Sequence, residues 1–197
     1  MTFDQAAAFF IFALVAAVTP GPSNVLLTAA GARGGVVGGL PCLLGVSAGM
    51  GTLMFAMAYG VGQILLGHPT IVLAIKIAGT AFLLWLSWKI ATARGGGASE
   101  GRVVGFTEAA AMQRVNPKAW MVSAGAAATY LETQPESALI QAATFALIFV
   151  AAALPSGVLW LTLGATLQRL VRTPRWGRAV SIFLGAALAA SIFMILV

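Results

Sequence analysis

The chain has 197 residues, of which 60% are hydrophobic and 8% charged, with a formal net charge of +6. A soluble domain carries about a quarter charged residues, so this composition excludes an ordinary water-soluble globule and assigns the surplus apolar surface to a bilayer. One histidine, one cysteine and five acidic residues also argue against an enzyme, which needs a nucleophile–base pair or clustered carboxylates and histidines, and against a histidine or thiolate metal site. No catalytic residue, cofactor, metal set or nucleic-acid partner is expected.

A hydrocarbon core about 30 Å thick is crossed by a helix of about 20 apolar residues, so the chain accommodates about six spans and no sizeable soluble domain. The apolar runs are continuous and lack the alternation of barrel strands, which makes the spans helical. The N-terminus, Met1-Thr2-Phe3-Asp4, has no basic region, so residues 5–18 are expected to be a retained helix rather than a cleaved signal.

In chain order, the first segment covers residues 5–30 and is interrupted by Thr19-Pro20-Gly21-Pro22. Arg33-Gly34-Gly35 is expected to form a loop before a second segment at 36–66, which ends at Gly67-His68-Pro69. The third segment covers 70–90 and is followed by a flexible polar stretch, 94–102, containing Gly95-Gly96-Gly97. The fourth begins at 103, carries Glu108, Gln113 and Arg114, is interrupted by Asn116-Pro117-Lys118, and resumes over 119–131. A loop at 132–136 precedes the fifth segment, 137–168. A basic loop with Arg169, Arg172, Arg175 and Arg178 leads to the sixth, 179–197.

Lysine and arginine in short loops mark the cytoplasmic side. Arg33 follows the first segment, Lys89, Arg94 and Arg102 follow the third, and four arginines follow the fifth, whereas Asp4, Glu132 and Glu136 lie on the other side. Loops one, three and five are therefore expected in the cytoplasm and both termini in the periplasm.

Three segments in each half give halves of opposite orientation, the geometry of inverted transporter repeats. The expected architecture is an all-α single transmembrane domain over 1–197. Its first repeat covers about 1–92, a cytoplasmic loop about 93–102 and the second repeat about 103–197, with helices 1 and 4 broken at proline motifs. Proline removes a backbone donor and glycine permits unwinding, so each break frees amides and carbonyls that only protein, water or a ligand satisfies within a membrane. Simple proline kinks are the bland alternative.

At the first break, Thr19, Ser23 and Asn24 offer hydroxyl and amide groups, and the helix after Pro22 presents amides suited to a carboxylate. At the second, Asn116 is suited to cap the next helix and Pro117 to its first turn; Lys118 adds a cation, or else snorkels to the interface. Lys76, inside the third segment, and Glu108 are the ionisable groups open to a coupling role. Gly45 and Gly49 have the spacing of a close helix contact, within the bundle or between subunits. The tryptophans, mostly near segment ends, read as interfacial anchors, with Trp160 placed to pack in the bundle.

Thr19-Pro20-Gly21-Pro22, the glycine-rich stretch through Gly45 and Gly49, Lys76-Ile77-Ala78-Gly79 followed by 81–86, and Asn116-Pro117-Lys118-Ala119 resemble the LysE/RhtB family of bacterial amino-acid exporters in order and spacing across nearly the whole chain. The resemblance implies a six-helix, multi-pass bacterial inner-membrane exporter of amino acids or related metabolites, assembled as a homodimer. It carries over Thr19, Pro20, Gly21, Pro22, Asn24, Asn116, Pro117 and Lys118 as residues of the transport path. The chain departs from the pattern in its fifth helix, where Pro155-Ser156-Gly157 precedes Trp160 and members often have an acid, and in its second, where Gly49-Met50-Gly51-Thr52 has no ionisable group. The weakly charged interior favours a neutral amino acid moved by alternating access, as in an antiporter. A passive channel or a structural membrane subunit is the alternative; a metal-ion exporter has fewer supporting residues.

Overall fold

A computed structural model describes residues 1–92, 102–131, 137–170 and 174–192. The stretch 94–101, the loop 132–136, and the side chains of Arg169, Arg172, Arg175 and Trp176 lie outside what is described. The described residues are helical, with no strand among them.

Helix α1, Phe3–Val18, starts at a reciprocal cap: Thr2 Oγ1 accepts from the Gln5 amide at 3.3 Å and Gln5 Oε1 accepts from the Thr2 amide at 2.8 Å. It ends because Thr19 and Gly21 each precede a proline, which disfavours the helical region. Thr19 has φ −60°, ψ 129° and Gly21 φ −167°, ψ 176°. Helix α2, Pro22–Ala56, has 35 residues, about 52 Å at 1.5 Å per residue and too long for one straight span. Gly35, at φ 66° and ψ −173°, breaks it in a conformation that favours glycine. The loop expected at Arg33-Gly34-Gly35 is thus a correction: helix runs up to and away from a single left-handed residue.

A π turn, Met57–Val61, follows, with Gly60 at φ 146°, and then the short α3, Gly62–Leu66. Helix α4 is Pro69–Ala91. Helices α5, Phe106–Val115, and α6, Pro117–Tyr130, have 10 and 14 residues, each shorter than the about 20 a span requires. Helix α7 is Ala138–Leu170, with Pro155 inside it. Helix α8 is Pro174–Ser191. The sixth segment therefore starts about five residues before the expected 179, because Pro174 suits a helix's first turn; Arg175 and Arg178 belong to that helix, not to a loop.

Among the described residues, three stretches are long and apolar enough to cross a membrane: Pro22–Leu65, Pro69–Ala91 and Ala138–Leu167. Phe3–Val18 and Ser181–Ala190 are shorter apolar helices. Large apolar side chains such as Ile11, Val37, Ile77, Trp88, Leu147 and Phe183 are exposed, as expected where lipid rather than water is the neighbour.

Helix α2 packs most extensively on α7. A Cβ at Gly31 would sit 2.0 Å from the Leu161 carbonyl oxygen, and one at Gly164 2.0 Å from that of Thr28, so glycines permit the contact where the hydrophobic effect between helices is weak. Phe9 of α1 stacks on Phe145 of α7 with ring centroids 4.0 Å apart. Helix α4 packs chiefly on α8, joined by Ser87 Oγ donating to the Gly185 carbonyl at 2.7 Å.

Candidate functional site

The first break leaves the last carbonyls of α1 without helical partners. Asn24 turns back from α2 and its Nδ2 donates to the carbonyls of Ala17 at 3.0 Å and Thr19 at 2.9 Å. Lys118, from the first turn of α6, donates through Nζ to the carbonyls of Thr19 and Pro20, the latter at 3.2 Å. A cation at a helix C-terminus opposes the negative end of its dipole. Gly21 leaves room for the lysine: a Cβ there would lie 2.6 Å from Lys118 Cδ.

The second break is a single residue. Asn116, extended at φ −83° and ψ 107° before Pro117, accepts from the Lys118 amide at 3.1 Å through Oδ1 and so caps α6. Its Nδ2 donates to Ser23 Oγ at 3.0 Å and to Gln113 Oε1 at 3.2 Å, while Ser23 Oγ donates to Gln113 Oε1 at 2.8 Å. The two breaks, about ninety residues apart in sequence, are thereby joined directly. Glycines hold the second break in place. A Cβ at Gly45 would lie 2.2 Å from the Phe106 carbonyl oxygen, at Gly49 2.7 Å from that of Ala110, and at Gly79 2.6 Å from Pro117 Cβ. Gly45 and Gly49 thus pack inside this chain, against α5.

Gly21, Ser23, Asn24, Asn116 and Lys118 line one cavity of about 50 Å³, whose other lining residues are mostly apolar and include Leu27, Met50 and Phe149. Thr19 does not line it: its hydroxyl donates to the Val15 carbonyl at 2.7 Å, and its own carbonyl accepts from Asn24 and Lys118. Pro20 is also outside the lining and gives its carbonyl to Lys118, and Pro22 and Pro117 are buried in the first turns of α2 and α6 without lining the cavity. A separate crevice of about 430 Å³ lies on the α4 side of Pro117 and Arg114.

Lys76 and Glu108 are not brought to this cavity. Lys76 is partly exposed on α4. Glu108 is exposed in the first turn of α5, paired with Arg102 and accepting from the Gly105 amide at 3.3 Å. Gln113, 1% exposed, is the residue that sequence reasoning did not assign to the site. Its signal was its place one helical turn before Asn116, which puts the two side chains on one face. Trp160 is buried in the bundle, and the Trp120 indole donates to the Arg114 carbonyl at 2.7 Å.

The sequence matches the family described as LysE type translocator over residues 14–195. The chain belongs to this family. A cysteine/O-acetylserine efflux protein of Salmonella paratyphi A (strain ATCC 9150 / SARB42) is 30% identical over 185 residues, covering 92% of each chain. The protein of that name from Escherichia coli (strain K12) is 29% identical over 189 residues, covering 95% of each. No solved structure matches the chain. The LysE type translocators are transporters rather than enzymes, in agreement with the scarcity of catalytic side chains.

Proposed function

We propose that this protein is a secondary exporter of small neutral amino acids of the cysteine and O-acetylserine class, working by alternating access in the bacterial inner membrane. Family membership and the names of the relatives support the substrate class. The observation that carries the reading is the contact between Lys118 and the carbonyls of Thr19 and Pro20. A zwitterion substitutes for both halves of it, its carboxylate meeting the ammonium of Lys118 and its ammonium meeting the freed carbonyls. Substrate thus exchanges the ion–dipole contact of Lys118 for an ion pair with that lysine and an ion–dipole contact with the carbonyls, and loosens the tie between the breaks as it binds. Only a ligand that interacts differently with the closed and open states shifts their balance, and this exchange supplies such a difference.

The same reading takes α1 with the start of α2, and α5 with α6, as the broken first spans of two inverted three-helix repeats, making six spans in all. Gly34 lies against Val103, gathering Arg33 and Arg102 at one end of the bundle. That supports a cytoplasmic assignment for this end and a periplasmic one for both termini. A homodimer belongs to the reading on the resemblance alone. Glu108 and Lys76, away from the cavity, are left with at most an indirect part in coupling.

The test is counterflow in proteoliposomes loaded with unlabelled O-acetyl-L-serine. Saturable accumulation of labelled L-cysteine is expected. Flux that rises linearly with concentration and shows no counterflow would mark a passive channel and overturn the exporter reading.

A further inference from the structure

Hydroxyl groups in membrane helices usually donate to the carbonyl one turn back. Thr28, Thr129, Thr162 and Thr166 do so here, at 2.7–2.8 Å. Ser47 of α2 and Ser156 of α7 do not: they are 3% and 4% exposed, and neither hydroxyl has a hydrogen-bond partner among the described residues. Both line the cavity between the breaks, on walls other than the one bearing Lys118 and Asn116. The other buried polar side-chain atoms without partners among the described residues, on Thr80, Ser123, Gln141 and Trp160, do not line it. An unpaired buried hydroxyl is costly, and two on one cavity make sense when an occupant supplies the partners.

We propose that Ser47 and Ser156 form the side-chain subsite of the transport cavity, where they hydrogen-bond the polar atom of a short, uncharged amino-acid side chain such as a hydroxyl, thiol or O-acyl group. This rests on the exporter reading and adds to it a division of labour. The broken helices and Lys118 hold the α-amino and α-carboxyl groups common to all amino acids; the two serines read the side chain. The cavity of about 50 Å³ is several times the roughly 10–15 Å³ that one water needs, which suits a small occupant. Among the described residues no acid lines it, so a basic side chain would find no counter-charge there.

The experiment compares O-acetyl-L-serine and L-serine with L-2-aminobutyrate, in which a methyl group replaces the serine hydroxyl, in proteoliposome counterflow. Wild-type protein is expected to prefer the two polar substrates. In the Ser47→Ala/Ser156→Ala double variant their KM is expected to rise about tenfold, with L-2-aminobutyrate unchanged, as loss of side-chain hydrogen bonding predicts. The melting temperature of the ligand-free variant should hold or rise, since two unpaired hydroxyls are removed. Survival of the polar preference in the double variant would overturn the subsite, as would an equal loss for all three substrates. A wild-type protein that moves none of the three defeats the exporter reading itself, and the subsite with it; the two failures are thereby distinct.

Discussion

The two helix breaks differ in how they are satisfied. The second is nearly self-sufficient: Asn116 caps its own helix, and the break is one residue long. The first spans Thr19 to Gly21, has no side-chain cap at the start of α2, and leaves carbonyls that are met by Asn24 and by Lys118 from the other half of the chain. One break therefore depends on the other. A kink that merely bends a helix has no need of a lysine reaching across ninety-odd residues. The asymmetry argues that the first break supplies the exchangeable contacts and the second the rigid frame.

Removing the dependence should have the largest effect. Lys118→Met keeps most of the side-chain volume but deletes the ammonium; counterflow is expected to fall at least about a hundredfold, the loss of a charged hydrogen bond of about 1.5–3 kcal/mol compounded by carbonyls left unpaired. Retention of near-wild-type transport would show that the lysine is only a tether. The next effect tests the asymmetry in stability. Asn24→Ala strips a donor from buried carbonyls at the first break and should destabilise by about 2 kcal/mol. Asn116→Ala loses a cap, for about 1 kcal/mol, while Ser23 and Gln113 keep their mutual hydrogen bond. Melting temperatures of the two purified variants should rank in that order, and the reverse order would make the second break the dependent one. The smallest effect is expected at Glu108, which is exposed beside Arg102. An exposed pair contributes about 0–1 kcal/mol, so Glu108→Gln should leave the counterflow rate within about twofold. A collapse of transport in that variant would return Glu108 to the coupling pathway.

The segments and their interruptions were legible because each has a local cause. Continuous apolar runs against charged punctuation set the helices, and proline acts on its own predecessor, so Thr19, Gly21 and Asn116 leave the helical region for reasons contained in adjacent residues. Local signals also misled. Arg33-Gly34-Gly35 reads as a loop, yet one glycine at positive φ redirects the chain. The basic run before the sixth segment reads as a loop too, yet its latter part joins α8 once Pro174 starts it. Gln113 was visible as a polar residue in an apolar segment, but nothing local links it to Ser23.

Composition and motif positions alone determined that this chain is helical, rich in membrane-length apolar segments and interrupted at two proline motifs, since desolvation and backbone sterics act residue by residue. Only the tertiary structure decided which groups the interruptions leave available. The Lys118 ammonium sits on α1 carbonyls, Thr19 turns its hydroxyl into its own helix, and Ser47 and Ser156 keep theirs unpaired at the cavity wall. Hydrogen-bond satisfaction is a property of packed neighbours, and those neighbours lie in distant parts of the chain.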